Sequence, residues 1–230
     1  MSARVGVVVF PGTNCEHDVV RGVEVLGGRA DLVWHGDRAL DGFDAVVVPG
    51  GFAHGDYLRT GAIARFSPVM EAVQRFAAAG GPVVGICNGF QILTEAGLLP
   101  GALQKNAGLK FRCETVACRV VTDRSALTRG VSTGTVLDLP INHFEGNYTC
   151  DPETLARLRD LDQIVLRYVE NPNGSLDDIA SVSNEAGNVV GLMPHPERAA
   201  EAILGPADGA VLLRALLATA GASARSGDNG

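Results

Sequence analysis

No segment of this 230-residue chain approaches the ~20 consecutive apolar residues that a membrane-spanning helix needs. The opening Met1-Ser2-Ala3-Arg4-Val5 leads straight into a strand-like run, with no long apolar region or cleavage site, so a cytoplasmic protein without a membrane partner is expected. Runs of Lys or Arg are absent and the formal net charge is −7. Nucleic acid and anionic membranes attract basic patches, so this balance points away from both and toward a small substrate or a protein partner. Cysteine is sparse, with five residues at 15, 87, 113, 118 and 150. An odd number without close pairing motifs or a secretory signal argues against a disulfide framework. Cys113 and Cys118 lack both the C-x-x-C spacing and a second ligand pair, and His54 with Asp56 has no third ligand nearby, so no metal is expected. The nucleotide fingerprints G-x-x-x-x-G-K-[ST] and G-x-G-x-x-G are missing too, which leaves no nucleotide site and no cofactor of the chain's own.

What is present is a globular composition, 46% hydrophobic with 29 glycines, in a length suited to one α/β domain. The expected domain spans residues 1–220. Residues 221–230 carry too little apolar surface to fold and are expected to form a disordered tail. Residues 5–10 are an apolar run ending at Pro11-Gly12, and Thr13-Asn14-Cys15-Glu16 has the S/T-x-x-E form of a capping box opening a helix to about Leu26. Strands over 30–34, 45–48 and 83–86, with a helix over 68–79, continue a βαβ rhythm that implies a parallel sheet. From about Phe111 the rhythm changes to strand-like segments at 115–121, 136–139, 164–168, 179–183 and 189–193, an antiparallel extension, before a final helix over 208–220.

The most telling run is Gly85-Ile86-Cys87-Asn88-Gly89-Phe90-Gln91, which closes an apolar strand and opens a helix. A nucleophile on a sharp strand-to-helix turn needs small residues two before and two after it, and Gly85 and Gly89 meet that need. Cys87 is therefore the candidate nucleophile. The helix N-terminus favours an anion, and the Asn88 N–H would face the oxyanion formed when a carbonyl is attacked. A second donor is expected from Gly51, because Pro49-Gly50-Gly51-Phe52 ends a neighbouring strand and a Gly-Gly pair lets backbone N–H groups approach a ligand. A lone G-x-C-x-G also describes a tight turn over a buried cysteine, so a base decides the matter. Met193-Pro194-His195-Pro196-Glu197-Arg198 supplies one: the prolines favour extended backbone, which puts His195 and Glu197 on one side. Cys87, His195 and Glu197 then fit nucleophile, general base and orienting carboxylate.

At these residues the chain resembles a class I glutamine amidotransferase, and within that class the glutaminase subunits that serve purine biosynthesis. The segments that carry the likeness are Pro11 to Glu16, Gly50-Gly51-Phe52-Ala53-His54-Gly55-Asp56-Tyr57, Gly85 to Gln91, Pro140 to Tyr148 and Pro194 to Arg198. The resemblance implies a flavodoxin-like three-layer fold with a mostly parallel central sheet. It also implies hydrolysis of L-glutamine through a thioester on Cys87, with Gly50 and Gln91 helping to hold the substrate. Ammonia would pass to a synthetase subunit that uses ATP, magnesium and formylglycinamide ribonucleotide, and a small bridging subunit would be a further partner.

Two other classes share parts of this pattern. An independent cysteine hydrolase or peptidase of flavodoxin-like fold would use the same three groups, but such relatives carry histidine directly after the cysteine, where this chain has Asn88. A scaffolding subunit would keep the fold without needing the triad. His143 in Asn142-His143-Phe144-Glu145 fits a contact with a partner or the ammonia exit as well as it fits a satisfied loop histidine, and it stays outside the catalytic set.

Overall fold

The computed structural model describes residues 2–227. Eleven strands and five α-helices follow one another along them: β1 (Arg4–Val9), α1 (Glu16–Val25), β2 (Arg29–Trp34), β3 (Ala45–Val48), α2 (Pro68–Ala78), β4 (Val83–Ile86), α3 (Asn88–Glu95), β5 (Ala102–Lys105), β6 (Arg112–Val120), β7 (Val136–His143), β8 (Glu145–Thr149), α4 (Pro152–Asp160), β9 (Ile164–Tyr168), β10 (Ile179–Ser183), β11 (Val189–Leu192) and α5 (Gly209–Gly227). Nine strands form one sheet in the order β2-β1-β3-β4-β11-β10-β9-β6-β7. From β2 to β11 neighbours are parallel, and from β11 to β7 they are antiparallel. The antiparallel extension is thus continuous with the parallel half, joined where β11 lies beside β4.

Burial explains this order. β3 and β4 are buried at every residue, as strands covered on both faces must be, whereas β2 is mostly exposed and takes the edge. The helix α3 seats on β3, β4 and β11, and α1 packs against α5 as well as β1 and β2. Valines of β1, β3, β4 and β11 meet Phe90, Ile92 and Leu93 of α3 in the core.

Several expectations need correction. No capping box forms: α1 opens at Glu16 behind Cys15, whose side chain makes no capping bond, and the Thr13 hydroxyl accepts from the Phe10 N–H at 3.0 Å instead. Pairing with β6 along its whole length, out to Arg112↔His143, carries β7 past residue 139, so His143 is a strand residue and not a loop one. The α5 helix runs to Gly227, through the first part of the expected tail, and residues 228–230 lie outside the described residues. Among the described residues no helix is long and apolar enough to cross a membrane.

Candidate active site

In an open α/β sheet, ligands bind beyond the carboxyl ends of the parallel strands. Here β1 delivers Asn14 and Cys15, β3 delivers Gly50 and Gly51, β4 delivers Cys87 and β11 delivers His195, all from neighbouring strands. Cys15, Gly51, Cys87, Gln91, His143 and His195 share one cavity of about 440 Å³, which is within the usual range for a small-molecule site.

Cys87 sits between β4 and α3 at φ 51 and ψ −104, a left-handed backbone that a non-glycine residue adopts only where its surroundings force it. Its N–H is fixed to the Leu192 carbonyl at 2.8 Å. The flanking glycines permit the turn: a Cβ on Gly85 would lie 2.7 Å from the Gly89 backbone, and one on Gly89 would lie 1.8 Å from the Val48 carbonyl oxygen. The thiol is only 6% exposed and donates weakly to the Asn142 carbonyl at 3.8 Å.

His195 follows β11, with its own N–H bonded to the Pro140 carbonyl at 2.8 Å, and Glu197 lies in the 3-10 turn Pro196–Ala199. Nδ1 of His195 meets Oε1 of Glu197 at 2.6 Å, with both side chains buried. This bond occupies Nδ1, while Nε2 has no hydrogen-bond partner and remains for the thiol. Burial opposes the imidazolium, yet the Glu197 carboxylate, followed by Cys87 and Cys15, outweighs it and holds His195 well above the usual imidazole range.

The Gly51 loop is held from two sides. Thr13 and Gly51 form an antiparallel bridge flanked by Phe52 N–H to Gly12 O at 2.9 Å and Asn14 N–H to Gly50 O at 3.5 Å. They are therefore the non-hydrogen-bonded pair, and the Gly51 N–H is not spent in the bridge. A Cβ on Gly51 would lie 2.8 Å from Asn14 N and from Thr13 Cα. Gly50 lies behind it: its carbonyl accepts from the Asn14 and Cys15 N–H groups, and a Cβ there would press on the His195 ring at 2.8 Å. Asn88, 2% exposed, braces the same loop from α3, its Oδ1 accepting from the Ala53 N–H at 3.0 Å and its Nδ2 donating to Asp56 at 3.1 Å and to Gln91 Oε1 at 2.9 Å. Gln91 Nε2 reaches the Glu145 carbonyl at 2.5 Å, which ties α3 to β8 across the cavity wall.

Asp56 has no role legible in the sequence, because its role comes only from this brace. Burial pushes its carboxyl up to about 6, against the hydrogen bond from Asn88 and with Glu145 adding repulsion. The folded chain keeps this proton longer than the unfolded one, so the group erodes stability as pH rises from 3.8 to about 6 and is fully unfavourable above that. Asp56→Asn keeps an acceptor for Asn88 and removes the charge. It is expected to add on the order of 1 kcal/mol at pH 7.5, allowing for partial exposure, and so to raise Tm by about 2–4 °C. Below pH 4 the gain should vanish; melts at several pH values check this.

Two more residues emerge only in three dimensions. Cys15 is a buried thiol on the cavity wall that accepts from the Arg198 guanidinium at 3.1 Å. Ligand atoms of Cys15, His195 and Glu197 lie within 4.8 Å of one another, but the Arg198 charge beside the sulfur opposes a cation there. His143, 3% exposed, shares the wall, held by Asn106 at 3.1 Å.

Comparison with known proteins shows the family to which the chain belongs. The family model of the CobB/CobQ-like glutamine amidotransferase domain matches residues 2–208. The chain is 58% identical over 214 residues to the phosphoribosylformylglycinamidine synthase subunit PurQ of Synechococcus elongatus, covering 93% of this chain and 97% of that one. It is 56% identical over 217 residues to the PurQ subunit of Rubrobacter xylanophilus, covering 94% and 99%. A chain of the solved structure of PurLQS from Thermotoga maritima superposes with a TM-score of 0.87 at 41% identity, covering 95% of this chain and 99% of that one. A protein of Thermoplasma acidophilum described as part of a GMP synthase shares the fold, with a TM-score of 0.68 at 15% identity, covering 100% and 99%.

Proposed function

The chain belongs to the CobB/CobQ-like glutamine amidotransferase family, and we propose that it is the glutaminase subunit of phosphoribosylformylglycinamidine synthase, acting with a synthetase subunit. The observation that carries this reading is the buried His195–Glu197 pair at 2.6 Å, sharing one cavity with Cys87 in a chain 58% identical to a subunit of that name.

On this reading His195 Nε2 takes the thiol proton, and the Cys87 sulfur attacks the γ-carboxamide carbon of L-glutamine. The oxyanion is met by the Gly51 and Asn88 N–H groups, each worth about 2.7–4 kcal/mol to such a transition state. His195 returns the proton to nitrogen, the C–N bond breaks, and ammonia leaves a γ-glutamyl thioester. Water activated by His195 then cleaves the thioester, releasing glutamate and restoring the thiol. Gln91 and the Gly50-Gly51 loop hold the substrate. Ammonia goes to the synthetase subunit, which binds ATP and magnesium and converts formylglycinamide ribonucleotide to the amidine. A small bridging subunit completes the assembly, in the cytoplasm.

Exposed apolar side chains ring the cavity, among them Leu58 at 90% exposure, with Phe52, Phe111 and Phe144. Such a patch favours a protein covering the mouth. A glutaminase without an acceptor wastes ammonia, so the isolated chain should hydrolyse glutamine slowly and the complex should be strongly stimulated. Glutamate release is measured with and without the synthetase subunits, formylglycinamide ribonucleotide, ATP and magnesium. Full activity from the isolated chain would contradict the gating, and no glutamate in any mixture would favour a scaffold or a different hydrolase.

A further inference from the structure

His143 closes β7 as a buried ring with one polar atom left over. Its protonation state can be read from its neighbour. Asn106 donates through Nδ2 to the Lys110 and His143 carbonyls at 2.9 and 3.0 Å. Those oxygens only accept, so the amide orientation is fixed and Oδ1 is the acceptor. Oδ1 takes the Gly146 N–H at 3.1 Å and meets His143 Nδ1 at 3.1 Å. Nδ1 must therefore carry the proton. Nε2 is then a lone pair, buried and without a partner, on a residue of the cavity wall.

A buried acceptor left open implies that a donor arrives with the ligand. Burial, with His195 adding repulsion, pushes His143 down to about 4. It stays neutral at pH 7 and gives no proton away. Among the reacting groups of a carboxamide, only the nitrogen donates; the carbonyl oxygen and the developing oxyanion accept.

Resting on the glutaminase reading, we infer that His143 Nε2 accepts a hydrogen bond from the leaving nitrogen of the substrate carboxamide. The division of labour with His195 follows. His195 moves the proton that lets the C–N bond break, and His143 receives an N–H without protonating the product. His143 forms no bond and takes no proton in the step.

The test is a comparison of leaving groups in the intact complex. L-Glutamine and L-glutamate γ-methyl ester acylate the same thiol, but methanol offers no N–H to Nε2. His143→Ala should lower kcat/KM for glutamine by roughly 10- to 100-fold, as expected for a hydrogen bond to a nitrogen that gains positive charge. The ester should stay within about twofold of wild type, since it never makes this contact. His143→Gln, which fills the site with a residue of similar reach, is read in parallel and should recover part of the glutamine rate alone. Equal losses on both substrates would assign His143 to the scaffold and overturn the inference, as would no loss on either. Absence of glutamate from the wild-type complex would overturn the proposed function and this inference with it.

Discussion

Cys87→Ala is expected to reduce glutamine-dependent turnover of the complex by about 10⁴- to 10⁶-fold, the scale on which loss of a covalent nucleophile acts. The size of the effect follows from the geometry around it. His195 has a partner on Nδ1 alone, and its Nε2 has no other thiol to activate at the elbow, where the left-handed backbone of Cys87 places the sulfur at the start of α3. Cys15 also borders the cavity, but its sulfur faces the Arg198 guanidinium and is carried by a different loop, so it does not stand in. The same variant should keep near wild-type turnover when ammonium salt replaces glutamine, because the synthetase chemistry is on the partner. Loss of both activities would mean that the alanine disturbed docking. Retention of the glutamine activity would overturn the nucleophile assignment.

Cys87→Ala should not cost stability in proportion. A non-glycine residue at φ 51 is strained, and alanine inherits that strain while losing one buried sulfur. Unfolding in urea should place the variant within about 2 kcal/mol of wild type, which separates a chemical loss from a structural one.

The residues that betray the site in the sequence share one property: each answers to a local rule. Gly89 is required by its close approach to the Val48 carbonyl of β3 and Gly85 by its packing against Gly89 and Leu93 of α3, while the prolines around His195 keep it out of the helical region at φ −106 and ψ 85, with Glu197 in a 3-10 turn instead of the expected extended run. Strands β3, β4, β9 and β10 are legible to the residue because buried runs bounded by Gly, Pro or polar turns leave little choice of register. The helix α4 escapes a reading by periodicity although Asp151 and Pro152 signal its start, with Asp151 accepting from the Thr154 N–H, because its polar surface buries only Leu158. The strand β8 is hidden for a similar reason: Glu145–Thr149 alternates around only one large apolar side chain, Tyr148. The hydrogen bonds that brace Asp56 and fix the tautomer of His143 are not legible, although the sequence offers His143 as a contact with a partner or the ammonia exit. The bonding partners of these two residues, Asn88 and Asn106, lie 32 and 37 residues away, and no spacing rule connects them.

Glu197→Gln is expected to lower kcat by about 10³- to 10⁴-fold, the range seen when the orienting acid of a catalytic triad is neutralised. The amide fits the same space, so the loss comes from charge and tautomer. Glu197 Oε1 accepts from Nδ1 at 2.6 Å and so keeps the proton there and the lone pair on Nε2. A glutamine can turn its NH2 toward Nδ1, which moves the ring proton to Nε2 and blocks uptake of the thiol proton. Burial would then act on the imidazolium without the carboxylate that now outweighs it, so the His195 titration seen by imidazole NMR should move down. Stability gives an independent check of sign. A histidine whose folded pKa is raised contributes stability that is complete below its unfolded value of 6.5 and is lost as pH climbs through the folded value. The variant should therefore be destabilised most at pH 6 and below, with the gap to wild type narrowing under alkaline conditions. A gap that widened with pH would mean that Glu197 serves the fold through its unpaired oxygen and does not hold the imidazolium.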